Sequence, residues 1–268
     1  MRAVSLLYHD VIDPGDYTSS GFSIPGANRY KLERQEFEMH LGAIAQVSRR
    51  KPACVLDFLR GGSSGTDQAS PPFFMTFDDG GSSAWPCIAS LLELLGWKGH
   101  FLITAGYIGA RAFLGKDEIR TLRKSGHIVG SHSTSHPERM SACGWQELVR
   151  EWDMSVKTLS DILGEGVTVA SVPGGYYSRR VAEAAATAGI KALFNSEPTT
   201  KCRWVDGCLV LGRYSIQRGM PPGVAAGLAA GYVRPRLKLW TWWNVKGLGK
   251  SVGGDTWLRM RRMLLRGK

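Results

Sequence analysis

The stretch FFMTFDDGGSS occupies residues 73–83 and places two adjacent carboxylates at the end of an apolar run. Asp78 and Asp79 follow a predicted buried strand, and two glycines follow them. Two carboxylates this close together resist joint ionisation unless a cation or a solvated turn accepts their charge. The pair therefore indicates either a solvated turn or a positive group held at the end of the strand.

Outward from this stretch, predicted strands and helices alternate along most of the chain, with short connections. The predicted strands are residues 3–9, 73–77, 100–105, 127–132, 167–173, 190–196 and 208–216, and the predicted helices are 33–48, 84–96, 116–126, 144–164 and 178–189. This alternation is typical of a parallel α/β fold, either a barrel or a doubly wound sheet. In both architectures, reactive residues collect at the carboxyl ends of the strands.

Three other predicted strand ends carry polar or glycine-rich motifs: His9, the segment HSTSH at residues 132–136, and PGGYY at residues 173–177. His132 and His136 are four residues apart where the chain leaves a strand for a helix-like segment, so both imidazoles can lie on one side of a turn. Two imidazoles and a carboxylate are a typical ligand set for catalytic Zn²⁺ or another divalent first-row metal. Two unrelated histidines would also fit that spacing alone, but the combination of strand-end motifs favours a metal site.

These motifs resemble the polysaccharide deacetylase (NodB-homology) family of carbohydrate esterases, whose first motif is TFDDG and whose second is H-S/T-x-x-H. The resemblance covers roughly residues 3–216 and implies a distorted (β/α) barrel of about seven strands. It also implies that Asp79, His132 and His136 hold a divalent metal and that Asp78 is the catalytic base. Zinc is the expected metal, with nickel, cobalt or iron as alternatives.

The chemistry of the residues agrees with these implied roles. A divalent cation lowers the pKa of a water molecule and polarises a carbonyl group, and Asp78 could accept the proton of that water. Within the segment Pro173–Tyr176, the backbone N–H groups that follow the proline could bind the developing oxyanion, because Gly174 and Gly175 allow close approach of the backbone. A plain turn after the strand is the alternative interpretation of this segment.

The proton donor for the leaving amine departs from the family pattern, which places a histidine near the C-terminus. The last histidine here is His136. His9 is similar in position to the N-terminal Tyr-His of the poly-N-acetylglucosamine deacetylase-like branch, and we predict that it is the general acid. The alternative is a core histidine bonded to a backbone carbonyl.

A second departure concerns the arginine that pairs with the catalytic Asp in the family. Its place is taken here by Ser171 or Val172. Arg213, in a later predicted strand, is the nearest substitute, and it could hold Asp78 ionised or contact the substrate. Asn195 and Glu197 end another strand and are weaker candidates for contacts with sugar hydroxyls.

The last part of the chain differs in charge from the rest. Residues 233–268 contain ten Lys or Arg, one Asp and four of the nine Trp, which gives them +9 of the net charge of +11. We therefore predict a catalytic domain at 1–232 and a basic tail at 233–268. Within the tail, residues 257–265 predict an amphipathic helix suited to an anionic membrane surface. A helix packed on the barrel is the alternative, and no nucleic-acid partner is expected.

The N-terminus has no pattern typical of a secretory signal, and five scattered cysteines without a CxxC pair do not indicate a disulfide framework. We therefore expect a cytoplasmic protein, with the tail on the inner face of the cytoplasmic membrane. The expected activity is hydrolysis of the acetyl group of an N-acetylated amino sugar, in a glycan or a lipid-linked saccharide. The alternatives are an O-acetyl carbohydrate esterase with the same site and a sugar-binding scaffold protein.

Overall fold

The computed structural model describes residues 1–48, 50–61, 71–241 and 243–244. Its strands are β1 (Val4–Tyr8), β2 (Val11–Ile12), β3 (Leu32–Glu33), β4 (Phe73–Phe77), β5 (His100–Ile103), β6 (Ile128–Ser131), β7 (Val169–Ser171), β8 (Ala192–Phe194), β9 (Arg203–Val205), β10 (Cys208–Leu211) and β11 (Tyr214–Ser215). Its α-helices are α1 (Arg34–Val47), α2 (Val55–Leu59), α3 (Cys87–Leu94), α4 (Lys116–Lys124), α5 (Trp145–Leu163), α6 (Arg179–Thr187) and α7 (Pro222–Ala229).

Nine strands form the main sheet, in the order β11-β1-β4-β5-β6-β7-β8-β10-β9. All neighbours are parallel except β10 and β9. Every residue of β1, β4, β5 and β6 is buried, as expected for parallel strands covered on both faces. The parallel α/β fold predicted from the alternation is therefore confirmed.

The connection between β10 and β11 shows that this sheet is curled into a distorted barrel. Strand β11 is the first in the strand order and β10 is the second to last, yet only Gly212 and Arg213 separate them in the chain. A flat sheet would place them about 34 Å apart, whereas three residue steps reach about 11 Å at most. The sheet must therefore curve until its edges nearly meet, and Arg213 lies at the seam between them.

The structure corrects several predicted elements. Residues 208–216 are not one strand, because the chain breaks at Gly212 and Arg213 as it crosses from one edge of the sheet to the other. The sequence analysis also missed the antiparallel edge strand β9 and helix α7, which packs on α1 and β1. Four of the five buried residues of α7 are alanine or glycine and only Leu228 is large, which weakens the periodic signal of that helix.

Part of the predicted tail is helical and packed on the barrel. Residues 233–241 and 243–244 are helical, and we refer to them as the C-terminal helix. The amphipathic segment predicted at 257–265 lies outside the described residues. No helix in the described ranges is long and apolar enough to cross a membrane.

Candidate active site

Asp78 and Asp79 stand where β4 ends at the carboxyl end of the barrel. The N–H of Asp78 donates to the carbonyl of Tyr8 on β1, whereas Asp79 has a φ of 74° and turns away from the strand. Gly80 has a φ of 80°, and a Cβ there would lie 2.9 Å from Ile103 Cγ2. The glycine thus allows the sharp turn that directs two adjacent carboxylates to different partners.

Asp78 is paired with Arg213. Nη1 and Nη2 of the arginine donate to the two carboxylate oxygens at 2.7 Å each, and both side chains are buried. Burial raises the pKa of Asp78, but the charge and hydrogen bonds of Arg213 outweigh it and hold that pKa below its ordinary value. Of the two alternatives for Arg213, the geometry fits stabilisation of ionised Asp78, because a fully buried guanidinium is out of reach of a saccharide.

Asp79, His132 and His136 converge beside this pair. Their ligand atoms all lie within 4.8 Å of one another, and Oδ1 of Asp79 is 3.4 Å from His132 Nε2 and 3.6 Å from His136 Nε2. Burial raises the pKa of Asp79, yet the neighbouring imidazoles of His132, His9 and His136 hold it well below its usual range. The site therefore combines one carboxylate and two imidazoles, the donor set expected for a divalent transition metal.

Ser171 connects the Asp78–Arg213 pair with the Asp-His-His cluster and fixes the tautomer of His132. Its hydroxyl donates to Asp78 Oδ1 at 2.9 Å, because an ionised carboxylate can only accept. The same oxygen lies 2.6 Å from His132 Nδ1, which must therefore be the donor. The lone pair of Nε2 then faces the Asp79 carboxylate, and a cation between them would relieve this contact. The residues present therefore fit a metal ion.

The segment between the two metal-site histidines is an irregular turn rather than the helix-like segment expected. Ser133 and His136 have φ values of 64° and 58°. Glu151 of α5 holds the turn, since its carboxylate accepts from the N–H groups of Thr134 and Ser135 at 2.9 and 2.8 Å. No local sequence signal identified Glu151, because it lies within an ordinary amphipathic helix.

His9 follows β1 and lies at the same end of the barrel. Its ring packs on Tyr30 with a centroid distance of 4.8 Å, and its buried Nδ1 has no hydrogen-bond partner in the described structure. The charge of His9 contributes to the low pKa values of both Asp78 and Asp79, so it lies near them. Its role as general acid stays a prediction.

Asp10 and Lys31 are two further buried charged residues that sequence analysis missed. Asp10 accepts from Ser20 at 2.6 Å and from Ser83 at 3.3 Å, and thereby ties the loop after β2 to the turn after β4. Lys31 donates to the carbonyls of Tyr17 and Ser20. Burial, together with the charge of Asp79, raises the pKa of Asp10. These contacts hold the loop that carries His9 against the metal-site turn.

The Pro173–Gly175 turn follows β7 on the other side of the site. Pro173 is buried, Gly174 is exposed, and the Gly175 N–H donates to the Val172 carbonyl at 3.4 Å. The Tyr176 carbonyl accepts from the N–H of Ser141. The turn borders the site, and its predicted role in binding an oxyanion stays a prediction.

The two weaker candidates after β8 differ in position. Asn195 is buried, its carbonyl accepts from Arg213 Nε, and its side-chain Nδ2 has no partner in the described structure. Glu197 instead forms an ion pair with Arg203 at 2.6 Å. Asn195 therefore belongs to the surroundings of the catalytic pair, while Glu197 is directed to the edge of the sheet.

Comparison with known families identifies the same resemblance. Residues 66–193 match the family model for polysaccharide deacetylase. YxkH of Bacillus subtilis (strain 168), named provisionally as a polysaccharide deacetylase, is 23% identical over 206 residues, which are 74% of this chain and 70% of the relative. An uncharacterised 30.6 kDa protein of Geobacillus stearothermophilus is 27% identical over 134 residues, and the match spans 48% of this chain and 47% of that protein.

Solved structures of the same class share the fold. The deacetylase PplD of Streptococcus pyogenes, solved with acetate, superposes with a TM-score of 0.67 at 18% identity and covers 83% of this chain and 95% of its own. IcaB of Ammonifex degensii also gives a TM-score of 0.67, at 22% identity, over 85% of this chain and 97% of its own. At these identities the comparison establishes the fold, and together with the family match it confirms the resemblance predicted from the motifs.

Proposed function

We propose that this protein is a metal-dependent hydrolase that removes acetyl groups from N-acetylated amino sugars, because residues 66–193 match the family model for polysaccharide deacetylase. One observation carries the proposal: an Asp-His-His cluster stands beside a buried carboxylate that is held ionised by an arginine. Carbohydrate deacetylation is the reaction of the family, whereas metal dependence and the amino-sugar substrate are the parts we propose.

Each residue has a separate task in the proposed reaction. Asp79, His132 and His136 would hold the metal, most simply zinc, which supplies a water of lowered pKa and polarises the acetyl carbonyl. Asp78 is the base that takes the proton of the attacking water. Arg213 keeps Asp78 ionised, and Ser171 holds it in register with His132.

The bond changes balance with the groups present. A bond forms between the water oxygen and the acetyl carbon, and the bond between that carbon and the sugar nitrogen breaks. The departing nitrogen takes a proton from His9, while Asp78 keeps the proton of the water. The products are acetate and the free amino sugar, and proton exchange with solvent restores both side chains.

An O-acetyl carbohydrate esterase is the second candidate. The absence of a histidine after His136 favours it, because an ester leaving group needs less protonation than an amine. Acetate release from N-acetylated and O-acetylated saccharides, measured with one preparation, separates the two candidates. A purified protein without stoichiometric metal and without activity on either substrate would instead favour a sugar-binding scaffold.

We also propose a peripheral membrane location on the cytoplasmic side. Val233, Leu237 and Trp240 are 66%, 56% and 50% exposed, and their spacing puts them on one outward face of the C-terminal helix. Arg234 and Lys238 flank this stripe. Exposed apolar side chains flanked by cations suit an anionic bilayer surface, and a lipid-linked saccharide of exopolysaccharide synthesis would then be the substrate.

Flotation of the full chain with phosphatidylglycerol vesicles tests the membrane proposal. The wild type is expected to float with these vesicles and to remain below vesicles of phosphatidylcholine alone. Leu237→Glu should weaken flotation, whereas Met154→Glu, at an exposed position on α5, should not. Equal flotation of all three proteins, or none for the wild type, would contradict it.

A further inference from the structure

The C-terminal helix runs from one end of the barrel to the other. Gly231, just before it, lies against Pro71, which precedes the first residue of β4 at the amino end of the strands. At its other end, Cη2 of Trp243 lies 4.0 Å from the position of a Cβ on Gly175, in the turn after β7. At about 1.5 Å per residue, the helix rises about 16 Å between residues 233 and 244, enough to connect these two levels.

One face of this helix is directed at the barrel. Pro235 packs on Gly227 of α7, the guanidinium of Arg236 lies near Tyr214, and Leu239 packs on the main core. Residues 235, 236, 239 and 243 share a face at helical spacing, so Trp243 continues the row of barrel-facing side chains. It differs from the outward stripe of Val233, Leu237 and Trp240.

Trp243 is nevertheless 40% exposed, and its indole lies next to the turn after β7, which borders the site. The backbone beside the indole carries no side chain at Gly175. This residue has a φ of 71°, and a Cβ there would lie 2.8 Å from Ser196. Gly174 is exposed, and on its other side the ring of Tyr176 lies 5.2 Å from the guanidinium carbon of Arg139. The indole thus borders a strip of glycine backbone next to the catalytic cluster.

We propose that Trp243 is a saccharide-binding residue that stacks against a sugar ring of the substrate, next to the ring whose acetyl group reaches the metal site. A large, rigid and partly exposed indole offers apolar contact area at a small cost in conformational entropy, and the C–H face of a pyranose is complementary to it. The C-terminal helix is then part of the substrate site. This inference rests on the proposed function, since it takes an acetylated saccharide as the ligand.

Steady-state kinetics on two substrates tests the role of Trp243. Trp243→Ala should raise KM for the tetramer of N-acetylglucosamine about tenfold, the loss expected for one aromatic contact. KM and kcat for 4-nitrophenyl acetate, which has no sugar to stack, should stay unchanged. Trp243→Phe should keep most of the affinity for the tetramer. Trp204→Ala is the matched control, because Trp204 is 55% exposed on β9 and pairs with Leu209 near the amino end of the strands.

Two outcomes would overturn the proposal: an unchanged KM for the tetramer in Trp243→Ala, or equal losses on both substrates, which would indicate a structural role. Trp243→Leu keeps apolar bulk and covers the case in which the alanine variant fails to fold. Calorimetric binding of the tetramer by wild type and Trp243→Ala separates this proposal from the proposed function. If binding depends on Trp243 but no acetate is released, the proposed deacetylase activity is wrong, whereas the proposed contact between Trp243 and the sugar is supported.

Discussion

Arg213 and Asp78 form a buried bidentate ion pair across the seam of the barrel, with both N–O distances at 2.7 Å. The arginine comes from the two-residue link between β10 and β11, and the aspartate from the end of β4. Arg213 also donates to the Asn195 carbonyl and to Thr76 Oγ1. The residue that closes the barrel therefore also controls the charge of the proposed base.

Arg213→Met should shift the acid limb of the activity profile upward by at least about one pH unit. Asp78 acts as a base only when ionised, so activity is lost as pH falls through its pKa. Arg213 lowers that pKa, and its removal raises it. The free energy of unfolding should also fall by about 3–5 kcal/mol, because the variant leaves a buried carboxylate unpaired.

Chemical denaturation and a pH–rate profile measure both effects of this substitution. Arg203→Gln is the control, since its ion pair with Glu197 is largely exposed and should contribute less than about 1 kcal/mol. An unchanged acid limb in Arg213→Met would mean that Asp78 is not the base.

Asp79→Asn should remove the bound metal. The wild type is expected to contain about one equivalent of a divalent transition metal, measured by elemental analysis, and chelation should abolish acetate release. Cys202→Ser should retain the metal, because the N–H of Cys202 donates to the carbonyl of Met1, before the amino end of β1, whereas the Asp-His-His cluster lies at the carboxyl ends of the strands. Retention of stoichiometric metal by Asp79→Asn would contradict the ligand assignment.

Ser171→Ala should lower metal affinity or activity about tenfold to 100-fold, the usual effect of removing a group that orients a metal-binding imidazole. The variant loses the hydroxyl that accepts from His132 and donates to Asp78. Competition with a chelating dye measures the affinity. Ser5→Ala serves as the control, because Ser5 is a buried strand serine whose hydroxyl has no partner in the described structure.

His9→Gln should slow hydrolysis of an N-acetyl substrate by about 10²–10⁴, the range for loss of a general acid. Hydrolysis of 4-nitrophenyl acetate should change little, because nitrophenolate leaves without protonation. The two substrates thus serve as controls for each other. If both rates fell together, or neither fell, His9 would not be the proton donor.

Glu151→Gln should weaken metal binding about tenfold by loosening the turn that carries His136. The carboxylate accepts three hydrogen bonds from Thr134 and Ser135 with its two oxygens, and an amide offers only one acceptor oxygen. Glu147→Gln, one turn earlier on α5 and exposed, is the matched control. Equal metal affinity of the two variants would show that the turn does not depend on Glu151.

Local signals in the sequence were enough to predict the parallel fold and the motif residues of the site. Apolar runs and helical periodicity predicted the alternation, and parallel strands bring their carboxyl ends together, so the carboxylate pair and the two histidines were expected to meet. The family resemblance implied that Asp79 is the carboxylate that joins His132 and His136. Ser171, Glu151 and Trp243 could not be assigned contacts in this way. Each acts through a partner that is distant in the chain, and an ordinary serine, glutamate or tryptophan carries no local mark of such a contact.

The sequence by itself determined that two carboxylates would end a buried strand. It also indicated that two histidines and one of these carboxylates could bind a metal. Only the tertiary structure decided which charge neutralises the other carboxylate. Arg213 is 135 residues from Asp78 in the sequence. It reaches the carboxylate because the curled sheet brings its two edges so close that two residues connect β10 to β11. A local pattern can place a side chain at a strand end, but closure of the barrel selects its partner, since closure depends on the packing of all the strands at once.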